Sequence, residues 1–128
     1  MLIDTPPALD GIMPSLRKAE YLVVPCVPEL QEVQALAKFL AMLDATKSDR
    51  PFTRTLGILP VRYAKQWPAH RSCLASMQQL GEQHGLALLE PVPHSTAVHR
   101  YSLAGGLWRQ LASRLIQLES RPGVARAA

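Results

Sequence analysis

Apolar positions along this chain follow two alternating rhythms. Short continuous runs, Leu2-Ile3, Tyr21-Leu22-Val23-Val24, Thr55 to Val61 and Leu86-Ala87-Leu88-Leu89, read as buried strands, each closed by a proline or a polar turn. Between them the apolar residues recur at three- and four-residue spacing, the period of a helix with one buried face. Leu30 to Ala45 is the clearest case, with Leu30, Val33, Leu36, Leu40 and Leu43 in one stripe, and the connector Lys47 to Pro51 marks its end. A shorter helix is expected over Met13–Ala19, with Pro14 in its first turn. A third should open at Pro68 and stop at Gly85, with Cys73, Leu74, Met77 and Leu80 facing inward. A short helix around Thr96–Leu103 and a longer one from Gly106 to Glu119 complete the pattern. In the latter, Leu107, Leu111, Leu115 and Leu118 form the stripe and Trp108 lies beside it. Strands alternating with helices of this length imply an α/β fold, with a parallel sheet of about four strands.

Composition bounds this picture. The 128 residues are 48% hydrophobic and fit one domain with a sizeable core. No apolar run approaches the roughly 20 residues that span a bilayer, and the N-terminus lacks the pattern of a signal peptide. Cys26 and Cys73 imply neither a disulfide framework nor zinc, so the expected setting is a reducing cytoplasm. The net charge of +4 gathers in residues 100–128, where five arginines face Glu119 alone. Such a face could attract phosphate backbones or be a solvated helix ending in a basic tail. Arg100, Arg109 and Arg114 are the DNA-facing candidates, with Lys65 and Arg71 as candidate neighbours. The histidines show no metal-ligand spacing, and no Gly-x-Ser-x-Gly elbow is present.

One stretch carries candidate chemistry. Leu2-Ile3-Asp4-Thr5-Pro6-Pro7 places an acid at the tip of an apolar run, and two prolines then forbid continuation. In open α/β sheets ligands bind beyond the carboxyl ends of strands, so Asp4 could meet a cation or a water there. It could equally cap a turn.

The segment Leu2 to Leu9 resembles the Walker B element of the ParA/MinD partitioning ATPases. Lys18 to Pro25, Glu29 before its helix, Leu56-Gly57-Ile58-Leu59 and Glu90-Pro91-Val92-Pro93 resemble later elements of that family, in order. The resemblance implies a partial P-loop NTPase-like fold over residues 1–119, with 120–128 as a flexible basic tail. By it, Asp4 orients Mg²⁺ through a water, and Thr5 and Pro6 belong to the loop on the γ-phosphate side. Pro91, Val92, Pro93 and His94 border the adenine. Each of these prolines also reads as a plain loop terminator. Family members bind MgATP, dimerise, bind DNA without sequence preference as dimers, and are turned over by a ParB-like protein. The implied setting is cytoplasmic and nucleoid-associated, with no membrane.

The Gly-rich phosphate loop with its lysine is absent from the 128 residues. The resemblance therefore implies a C-terminal portion that neither hydrolyses ATP alone nor holds ATP and Mg²⁺ tightly, with no catalytic residue in isolation. Its partners would be a second copy or a full-length relative. A degenerate, non-catalytic interaction module and a basic DNA-binding accessory domain are the alternative readings.

Overall fold

The computed structural model of the chain describes residues 3–5, 11–94 and 105–120. Its elements run α1 (Met13–Lys18), β1 (Tyr21–Cys26), α2 (Leu30–Ala45), a 3₁₀ turn (Lys47–Asp49), β2 (Arg54–Pro60), α3 (Pro68–His84) and α4 (Gly106–Glu119). The helix limits agree closely with those expected from periodicity. Pro68 opens α3, and Gly85, at φ 67°, closes it in the left-handed conformation that a side chain would disfavour. The expected helix at 96–103 lies outside the described residues.

Of the four or so strands expected, the described residues show two in a ladder. Among the described residues only β1 and β2 form a ladder, parallel and with register Tyr21↔Arg54 through Cys26↔Pro60. Ile3, Asp4 and Thr5 are not in strand conformation. The expected fourth strand is instead an irregular ribbon beside β2, joined by single parallel bridges at Ile58↔Leu88 and Tyr63↔Pro93. Pro91 and Pro93 have no N–H to donate, which prevents a continuous ladder there. Conversely, β1 runs through Pro25, where the run of residues had suggested a stop. Among the described residues β1 has β2 on one side only, and a strand tolerates proline where its missing N–H faces away from the ladder.

Side chains alternate across this small sheet, as the strand period of two requires. Val24, Cys26 and Ile58 join Leu16 of α1, Val33, Leu36, Leu40 and Leu43 of α2 and Met77 of α3 in the main core. Leu59, Leu89 and Val92 form a second cluster on which Val23 and Leu111 of α4 pack. The register shifts between Leu22 and Val23, so that Leu56 is an extra residue on β2. Gly57 follows it. A Cβ there would stand 2.6 Å from the Ala87 carbonyl oxygen, the atom that accepts from the Ile58 amide.

Burial differs from the periodic stripes at three places. Leu30, in the first turn of α2, is exposed, as is Trp108 on α4. Both stand where no described element covers them. Arg50, in the polar connector, is buried. Its Nη2 donates to the Leu43 carbonyl at 2.5 Å, satisfying an acceptor that the end of α2 leaves open. Thr53 serves α1 in the same way, its hydroxyl standing 2.7 Å from the Leu16 carbonyl and 2.8 Å from that of Ala19.

Candidate functional site

Three segments converge at the carboxyl ends of the sheet. The Val61 amide donates to the Cys26 carbonyl, the Tyr63 amide to Val92, and the His94 amide back to Tyr63, all at 2.8–3.0 Å. The loop after β2 is thus stitched to Pro91–His94. Val92 is buried in the second cluster, Pro91 and Pro93 are half-buried, and His94 is exposed.

Asp4 and Thr5 line a different cavity, of which Pro91 to His94 are not part. With Ile3, these two line a cleft of about 690 Å³ beside β1, walled by Ser15, Leu16, Lys18 to Val23, Pro25, Leu56 and Leu111. Asp4 is exposed and Thr5 half-buried. Among the described residues, the charged groups on this cleft are Asp4, Glu20 and Lys18. Two carboxylates suit a hydrated divalent cation, since Mg²⁺ keeps most of its waters and takes one or two protein carboxylates beside phosphates. One lysine does not balance a triphosphate. Among the described residues no cluster of three or more His, Cys, Asp or Glu could hold a metal by itself. The donors present therefore fit a cation brought in with its phosphates, rather than an all-protein metal site.

The arginines do not share one surface role. Arg109 is exposed, and its Nε lies 3.4 Å from the Gly105 carbonyl. Arg114 is half-buried and ties α4 to β2, donating from Nε to the Leu56 carbonyl at 3.0 Å and from Nη1 to Gln117. Lys65 and Arg71 meet each other, Arg71 Nη1 donating to the Lys65 carbonyl at 2.8 Å. Pro6 and Arg100 lie outside the described residues.

A grouping not anticipated from the sequence surrounds Trp67. His70 is buried, and its Nδ1 accepts from the Ala64 amide at 3.0 Å. Trp67 packs edge-on against His70, with centroids 4.8 Å apart, and lies 5.9 Å from the His94 ring. Tyr63 stacks at 6.3 Å on the same histidine. The signal available was local: Tyr63, Trp67 and His70 fall within eight residues, at the end of a strand.

No family model matches the chain. Over 79 residues it is 32% identical to Protein IncC of Escherichia coli, a match covering 61% of this chain and 22% of that protein. The structure of apo McdA from Cyanothece matches with a TM-score of 0.62 at 15% identity, over 79% of this chain and 46% of McdA. An ATP complex of a McdA variant matches with the same TM-score at 17% identity, over 87% and 47%. The chain thus spans about a fifth of IncC and just under half of each McdA chain. By sequence and by fold, this protein is similar to the ParA/MinD-like partitioning ATPases.

Proposed function

We propose that this chain carries the Mg²⁺-orienting part of a ParA-like MgATP site and acts in DNA partition. The observation that carries the reading is the place of Asp4 and Thr5, on a cleft beside β1, in a fold matched by a protein whose structure is known with ATP. When bound, Mg²⁺ would supply charge neutralisation to the phosphates. Asp4 would orient it through a water, with Thr5 and Pro6 on the γ-phosphate side and Pro91 to His94 beside the adenine. Phosphoryl transfer depends on positioning and on stabilising charge. Among the described residues the cleft offers one cation, Lys18, and the Gly-rich phosphate loop is absent from the sequence, so the chain alone is assigned no ATP hydrolysis. The phosphate loop, a dimer partner and a ParB-like protein would come from outside these 128 residues. Non-specific DNA would meet Arg100, Arg109 and Arg114.

Calorimetric titration of MgATP tests this reading. The 128-residue chain should show no saturable binding. The same chain fused behind the Gly-rich half of a relative should bind, and Asp4→Ala in that fusion should lower Mg²⁺-dependent affinity about 10- to 100-fold, as loss of an outer-shell metal partner does. Tight binding by the short chain, or an Asp4→Ala fusion of unchanged affinity, would overturn the assignment.

A further inference from the structure

None of the residues of the Trp67 grouping lines the Asp4 cleft, and the proposed ATP site leaves most of the grouping unexplained. Trp67 is 48% exposed, yet its ring is fixed, packed against the buried His70 and beside the exposed His94. Its backbone is held as well, the Trp67 amide donating to the Ala64 carbonyl and its carbonyl accepting from the Arg71 amide. An indole held in this way needs little further ordering to stack on a planar partner.

The charges around it are of one sign. Arg62, Lys65 and Arg71 are exposed on the same loop and first helical turn. Residues 50–81 contain five Lys and Arg and no Asp or Glu, and residues 91–118 contain three Arg and no acid. These two stretches meet at the Tyr63↔Pro93 bridge. The carboxylate closest in sequence on the bordering ribbon is Glu90, three residues before Pro93. Arg62 adds a second, independent sign. Its φ of 57° makes it the only non-glycine residue with positive φ among those described. A left-handed arginine costs about 1 kcal/mol or more, and such strain gathers where a side chain must be aimed. The hydrogen bonds of Val61 to Cys26 and of Tyr63 to Val92 hold it in place from both sides.

We propose that this loop binds single-stranded nucleic acid, with the Trp67 indole stacking on a base and Arg62, Lys65 and Arg71 contacting the adjoining phosphates. Aromatic stacking tolerates any base, and phosphate contacts require only positive charge within reach, so the site is sequence-tolerant and salt-sensitive. It works without ATP.

The test uses the full 128-residue chain with Trp108→Phe, so that Trp67 alone reports by fluorescence. An oligothymidylate of about 15 nucleotides, matched to the few-to-sixteen-nucleotide sites of such surfaces, is titrated at low salt without nucleotide. The expected result is saturable quenching, with a log–log salt slope of about −2 for three phosphate contacts to a single strand. Trp67→Ala, followed by a labelled oligonucleotide, should weaken binding about five- to a hundredfold, and Trp67→Phe should recover part of the loss. Arg62→Gln should reduce the slope by about 0.7 while leaving the quenching amplitude intact. An absence of quenching would overturn the proposal. So would duplex binding of equal affinity that Trp67→Ala leaves unchanged, or AMP quenching Trp67 as tightly as the oligonucleotide. The first two outcomes leave the MgATP titration unchanged, whereas AMP quenching would assign Trp67 to the adenine border at His94, so the two readings fail separately.

Discussion

At the scale of single residues, Cys26 ties the stability of the protein to pH. It ends β1 in the main core, where burial above all, then Glu32 and Cys73, push the thiol from 9.0 up to about 12. A thiol whose pKa is raised on folding keeps its proton in the native state after the unfolded chain has lost it. The stabilisation is therefore complete below about pH 9 and is lost as pH climbs toward 12. Tyr21 acts in the same direction from pH 10 upward, its phenol raised by burial and by the hydrogen bond it donates to Glu119. Urea midpoints should accordingly fall between pH 9 and 11, and Cys26→Ala should flatten that fall. A thiol-reactive dye at pH 8 should label at most one of the two cysteines in the native protein, and both in denaturant. A native Cys26 that reacts as fast as a free thiol would contradict the burial described.

At the scale of elements, two glycines separate capping from packing. Gly85 closes α3 at φ 67° with open space around its Cα. Replacement by alanine should cost about 1 kcal/mol, from backbone strain alone. Gly57 lies beside the bulge on β2, where a Cβ would meet the Ala87 carbonyl at 2.6 Å and Leu89 Cγ at 3.0 Å. The obstruction is backbone, so Gly57→Ala must displace the 86–94 ribbon and should cost about 2 kcal/mol or more. Denaturant unfolding of the two variants measures the difference, and equal losses would show that the ribbon yields freely. The ends of α3 were legible because Pro68 and Gly85 act through their own backbones. The outcome for Leu30 and Trp108 was not, because periodicity identifies an apolar face without saying how far along the helix a neighbour covers it.

At the scale of the molecule, one edge of β1 has no described strand beside it. The cleft beside β1 exposes apolar groups from Leu22, Val23 and Leu111. An unpaired edge of this kind is a template for strand addition. The isolated chain should associate as its concentration rises, which sedimentation over a hundredfold range of concentration would record. A monomer throughout that range would contradict it. From residues alone came the α/β class, the positions of α1, α2, α3 and α4, and the Asp4 segment that resembles a Walker B element. Each rests on local rules: side-chain period, proline and glycine sterics, and the order of residues along a few turns. Only tertiary structure decided that the ladder has two described strands, that Arg50 is a buried helix cap, and that the cleft lined by Asp4 shares Val23 and Leu111 with the cluster holding Val92. It also drew Trp67 and His94 together across 27 positions. The physical reason is the same in each case. Strand pairing, burial of a charge and clustering of rings depend on partners far away in sequence, and no local pattern of polar and apolar residues specifies which partners will meet.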